Sequence, residues 1–218
     1  MTTNKVIVSI DNVSSIEALG IIKDLHPYAA GFKFNDILHD GVGIISASKW
    51  VTGGCMIMAD PKLYDIPNTM KNSYMRFLKK GADIITVHAA ASWKANDIKD
   101  KSNICGVTVL TSFTDEDFPF DIKIEEAVKM LATKCYDWGY KYIVCSPREL
   151  DIVKDIPIKK ICPSIRPEWY QEKDDQKRTM TPSEAIDKGA DYLVMGRPIL
   201  NSKDMVEALV KTNEEINN

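Results

Sequence analysis

Short apolar runs rich in β-branched residues alternate with helix-patterned segments from one end of the chain to the other. The runs occupy residues 5–11, 29–34, 55–60, 83–89, 104–111, 142–146, 160–164 and 192–196. A strand covered by helices on its outer face and by other strands within reads as a near-continuous apolar stretch. Strict strand–helix alternation favours parallel pairing, because parallel strands need a crossover between them. The pattern predicts an α/β fold, a single (β/α)8 barrel of the TIM class, as one domain over residues 1–218. A doubly wound open sheet is the competing arrangement. No GxGxxG follows the first run, which weakens its dinucleotide-binding form. With 218 residues and no low-complexity linker, the chain has room for one such barrel.

Helix boundaries carry their own signals. Ser14-x-x-Glu17 and Thr181-x-x-Glu184 are capping boxes, in which a hydroxyl and a carboxylate satisfy backbone N–H groups reciprocally. Pro67 fits the first turn of a helix, where its missing N–H costs nothing. Gly81 and Gly189 fit helix ends. Helices are expected over residues 14–25, 41–50, 67–80, 92–100, 124–138, 181–188 and 202–215, with a short one opening at Pro147. Residues 165–179 form the longest polar, aperiodic stretch, and a long loop at a barrel mouth is often functional.

Composition narrows the partners. Hydrophobic residues make up 44% and charged residues 27%, with a net charge of −3 and the signs interspersed. Neither a general nucleic-acid surface nor a membrane surface is expected from that balance. No apolar stretch approaches a membrane span, and no signal-peptide pattern is present. The five cysteines, an odd number without a CxxC pair, read as buried reduced thiols and a cytoplasmic location. Three histidines without ligand-like spacing argue against a zinc site.

Charge concentrates where the apolar runs end. Asp11, Lys33, Asp60 and Lys62 close the first three runs, and a barrel gathers strand C-termini on one face. Alternation along a strand points Asp60 and Lys62 the same way. Opposite signs in such a set keep each other ionised. On the residues alone, a structural ion-pair network and a catalytic set are both open. Gly196-Arg197 follows the last run, where barrels bind phosphate through backbone N–H groups and a nearby cation. His88, at the end of the fourth run, reads equally as structural or functional. Gln176 and Arg178 read as solvated loop residues, and so does the run Thr114-Asp115-Glu116-Asp117, although it has the carboxylates to hold a cation.

Several separated segments also resemble one family, in one order. They include Ser9-Ile10-Asp11, Gly31-Phe32-Lys33, Asp60-Pro61-Lys62-Leu63-Tyr64-Asp65-Ile66-Pro67-Asn68-Thr69, Val87-His88-Ala89, Pro163-Ser164-Ile165-Arg166-Pro167, Asp175-Gln176-Lys177-Arg178, Met180 to Ile186, and Val194 to Ile199. Together they resemble the orotidine 5′-monophosphate decarboxylases. The Ile-Pro-x-Thr that continues Asp-x-Lys-x-x-Asp separates these from the related sugar-phosphate decarboxylases and aldolases. The resemblance implies cofactor-independent conversion of orotidine 5′-monophosphate to uridine 5′-monophosphate, with no metal. It implies Lys62 as proton donor to C6, Asp60 and Asp65 beside it, and Lys33 linking Asp60 to the ribose. Asp11 would bind ribose hydroxyls, Thr114 the base, and Gln176, Gly196 and Arg197 the phosphate, with Pro163 also in the substrate site. It implies a homodimer in which Asp65, Ile66 and Thr69 enter the partner's site. Ser164 departs from the Gly that usually follows Pro163 in this family. The alternatives are a metal-dependent sugar-phosphate decarboxylase or aldolase, and a non-catalytic phosphate-ligand sensor on the same scaffold.

Overall fold

The computed structural model describes residues 4–38, 49–51, 54–170 and 179–217. Its strands are β1 (Val6–Ile10), β2 (Gly31–Phe34), β3 (Met56–Leu63), β4 (Ile84–His88), β5 (Ile104–Val107), β6 (Tyr142–Val144), β7 (Lys159–Cys162) and β8 (Tyr192–Met195). All pair in parallel, in chain order, as a closed barrel. Val8 pairs with Phe32 on one side and with Met195 on the other, so β1 and β8 seal the cylinder. That closure excludes the open sheet.

The helices are α1 (Ser15–Leu25), α2 (Pro67–Lys79), α3 (Ile124–Asp137), α4 (Leu150–Val153), α5 (Pro182–Asp187), α6 (Arg197–Leu200) and α7 (Met205–Asn217). Both expected capping boxes form, at Ser14/Glu17 and Thr181/Glu184. A third, Ser146/Glu149, opens the turn after β6. Pro67 occupies the first position of α2, as its chemistry suggests.

Two apolar clusters divide the core. Ile7, Met58, Ile84, Cys105, Ile161 and Val194 point into the barrel and form its floor. Phe32, Phe34, Leu25, Tyr74 and Ile85 belong to the larger cluster between sheet and helices. Strand side chains repeat every two residues. Two steps beyond Ile7, Met58 and Ile84 therefore stand Ser9, Asp60 and Thr86, all buried. On these three strands an apolar floor thus gives way to polar side chains, whereas the positions two steps beyond Cys105 and Tyr142, Val107 and Val144, keep the far wall of the cavity apolar.

Some expectations change. No helix spans residues 92–100: a 3-10 turn at Ala89–Ala91 is followed by left-handed residues at Ser92 (φ 53°) and Ala95 (φ 48°). Two left-handed L-residues three apart cannot propagate a right-handed helix. Trp93 is instead buried against Tyr74, ring centroids 5.6 Å apart, and its carbonyl accepts the Tyr140 hydroxyl. β5 ends at Val107 rather than Thr111, because Thr108 turns its amide and hydroxyl onto one carbonyl, that of Val144. β3 runs on to Leu63, past the expected end of the run. The short α6 directly after Gly196 was not foreseen. Most of the helix expected at 41–50 lies outside the described residues.

Candidate active site

Four charged side chains form one chain of contacts across the barrel mouth. Lys33 Nζ lies 2.9 Å from Asp11 Oδ2 and 3.3 Å from Asp60 Oδ2, and Lys62 Nζ lies 2.7 Å from Asp60 Oδ2. Burial is graded along it. The Lys33 and Asp60 side chains are 10% and 7% exposed, whereas Lys62 and Asp11 are 33% and 31% exposed. The inner pair lies deeper and the outer two are more open, although all four reach the cavity. An unpaired charge at the inner depth would cost several kcal/mol, and the two lysines together offset that cost for Asp60.

The proton affinities follow. Burial works to raise the Asp60 pKa, but Lys33, Lys62 and the hydrogen bonds from Lys62 and Thr86 outweigh it, and the value falls below the usual carboxylate range. Burial works to lower the Lys33 pKa, but Asp60 and Asp11 reverse that, and it rises. Both groups are therefore charged at neutral pH. His88 is half-buried, and burial together with the charge of Lys62 lowers its pKa despite Asp60. It stands near Lys62 as a neutral ring, its centroid 5.7 Å from that of Tyr64 with the two planes at 89°.

Lys62 is reached by an unusual backbone. Its φ is 46°, left-handed for a long side chain, and the β3–β4 register breaks between Ala59 and Leu63. Such a conformation costs about 1–3 kcal/mol and persists only where neighbours hold it. Here Thr86 Oγ1 accepts the Lys62 amide at 3.0 Å and donates to Asp60 Oδ1 at 2.7 Å. Asp60 and Lys62 do meet on one side, but through a bulge rather than plain alternation.

A cavity of about 920 Å³ opens over this chain. Asp11, Lys33, Asp60 and Lys62 line one part of it, and Pro163, Ser164, Arg166, Gly196 and Arg197 another. Gly196 is packed against β1: a Cβ there would stand 3.3 Å from Ser9 Cβ. Ser164 has φ 63°, and its hydroxyl donates to Thr111 Oγ1 at 3.1 Å, joining the loops after β7 and β5.

The remaining sequence candidates fall into three groups. Asp65 and Ile66 are exposed and Thr69 half-buried at the start of α2, and none lines this chain's cavity. Thr114 bonds through its hydroxyl to Asp117 Oδ2 at 2.8 Å and is also outside the cavity lining; Thr111, three residues earlier, is within it. Gln176 and Arg178 lie outside the described residues. Arg166 was not singled out from sequence beyond its place in a motif. It lines the cavity, donates to the Ile165 carbonyl at 2.8 Å and lies over the Tyr170 ring at 5.6 Å. Its signal was a cation just past the end of an apolar run. Among the described residues, no three His, Cys, Asp or Glu side chains are grouped to hold a metal ion.

Residues 4–212 match the orotidine 5′-phosphate decarboxylase / HUMPS family. The chain belongs to that family. An orotidine 5′-phosphate decarboxylase of Paramagnetospirillum magneticum is 36% identical over 232 aligned residues, covering 98% of each chain. One from Lawsonia intracellularis is 36% identical, covering 93% of this chain and 95% of its own. Among solved structures, orotidine 5′-phosphate decarboxylase from Lactobacillus acidophilus superposes with a TM-score of 0.78 at 27% identity, covering 99% of this chain and all of that one. Family membership makes the chain an enzyme, a lyase of the decarboxylase type. No helix among the described residues is long and apolar enough to cross a membrane.

Proposed function

We propose that this chain decarboxylates orotidine 5′-monophosphate to uridine 5′-monophosphate in de novo pyrimidine biosynthesis, without a cofactor, and that Lys62 delivers the proton to C6. The observation that carries the reading is the Lys62 ammonium, held 2.7 Å from buried Asp60 at the edge of the cavity. Breaking the bond from C6 to the carboxylate releases CO2 and leaves the electron pair on C6. A fixed ammonium beside that carbon stabilises the developing charge and then donates its proton, and the resulting amine recovers one from water. Asp60, kept ionised by Lys33, anchors the Lys62 ammonium in place until then.

The rest of the cavity suits the other parts of a nucleotide. Asp11 Oδ1 is buried with no hydrogen-bond partner among the described residues, a fit for a ribose hydroxyl. The cations Arg197 and Arg166, with the Gly196 backbone and Gln176 from the loop after β7, would take the phosphate. Pro163 and Thr111 border the space left for the base, and Thr114 would reach it only by leaving Asp117. Asp65, Ile66 and Thr69 would complete the site of a second copy in a homodimer, which accounts for their absence from the lining of this chain's own cavity. The setting is cytoplasmic.

The test is to follow the ultraviolet change from orotidine to uridine monophosphate with chelator present. Turnover is expected, and Lys62→Ala should lower it by at least about 1,000-fold. Turnover that appears only with added divalent metal, or only on a sugar phosphate, would favour the metal-dependent branch. Tight nucleotide binding without product would favour a sensor.

A further inference from the structure

Thr86 is fully buried in the middle of β4, beneath the charged chain. A buried threonine ordinarily places its hydroxyl on a nearby backbone carbonyl, as Thr108 does just past the end of β5. Thr86 differs, because both hydrogen-bonding capacities of its hydroxyl are spent on the reactive pair. Its proton goes to Asp60 Oδ1, and its lone pair receives the Lys62 amide. Asp60 Oδ1 being so engaged, Oδ2 is the oxygen turned to both lysines, at 2.7 Å and 3.3 Å. The same hydroxyl meets the one backbone position in β3 that is left-handed and out of register.

We infer that Thr86 is a positioning residue for the proton transfer: its hydroxyl sets the rotation of the Asp60 carboxylate and clamps the bulge that aims Lys62. This rests on the function proposed above. Without the hydroxyl, Asp60 Oδ1 becomes an unsatisfied buried acceptor and can rotate away from Lys62, and the left-handed Lys62 backbone loses the bond that offsets its strain. The ammonium would remain in the site, displaced from the reacting carbon. Displacements near 1 Å can cost about 100-fold in rate while leaving substrate contacts in place.

The experiment compares Thr86→Val, which keeps shape and removes the hydroxyl, with Thr86→Ser, which keeps it. For Thr86→Val, kcat is expected to fall about 100-fold, with KM and uridine monophosphate affinity within about 3-fold of wild type. Thr86→Ser should recover kcat to within about 10-fold. Thr86→Ala provides the same comparison should the valine variant not fold. An unchanged kcat in a folded hydroxyl-less variant overturns the inference. So does a parallel loss of kcat and product affinity that serine does not restore, which would mark Thr86 as structural only. Failure of the wild type itself to turn over the substrate falls on the proposed function instead.

Discussion

Ser164 stands at φ 63°, in a conformation that costs an L-residue about 1–2 kcal/mol relative to glycine. In return its hydroxyl bonds Thr111 across two cavity loops, a contact worth about 0.5–1.5 kcal/mol. Replacing it by glycine relieves the strain, loses the bond and adds about 0.4–1 kcal/mol of unfolded-state entropy cost. These terms nearly cancel. Ser164→Ala loses the bond and keeps the strain. Denaturant titration should therefore find Ser164→Gly within about 1 kcal/mol of wild type and Ser164→Ala less stable than Ser164→Gly. The reverse order would mean that the left-handed backbone is not strained here. The hydroxyl thus has a stability role that a glycine here would lack, and it ties Thr111 to the cavity rim.

At the level of elements, β5 lies close on α3 because Gly106 has no side chain. A Cβ there would be 2.3 Å from Cys135 Sγ and 3.3 Å from Tyr140 Cδ2, well inside contact. Cys135 is fully buried on α3, in an interior packed too closely to take an extra atom without a shift. Gly106→Ala should cost about 1–3 kcal/mol as overpacking, lowering Tm by a few degrees for each kcal/mol. Adding Cys135→Ala should return part of that loss, since the two substitutions share one space. Additive losses in the double variant would show that strand and helix separate rather than repack. All five thiols are free, as the odd cysteine count suggested, but only four are buried and Cys55 is half-buried. The boundary signals of α1 and α5 were legible because capping is local chemistry within four residues. Residues 92–100 were misread because Trp93 is held by Tyr74 and Tyr140, from other elements, and not by a helical period.

For the whole molecule, the net charge of −3 is a poor guide to the site. The barrel gathers Lys33, Lys62, Arg166 and Arg197 around one cavity although they are spread over most of the chain. The proposed dimer makes a sharper demand. A subunit carrying Lys62→Ala and one carrying Asp65→Ala are each inactive in a shared-site enzyme, yet a mixed dimer holds one intact site of two. Equal mixing with subunit exchange makes half the dimers mixed, so activity should return to about a quarter of wild type. No recovery after verified exchange would make the subunits self-contained and remove Asp65 from the partner's site.

The eightfold alternation of strand and helix, the capping boxes and the charges at strand ends were all present in the linear chain, because each depends on periodicity or on near neighbours. The family resemblance added roles to those charges. Only the tertiary structure decided that β1 closes on β8, that Lys62 arrives through a left-handed bulge, and that Thr86 and Arg166 belong with the site. Those facts arise from contacts between residues far apart in sequence, where a side chain's meaning is set by the groups that folding brings against it.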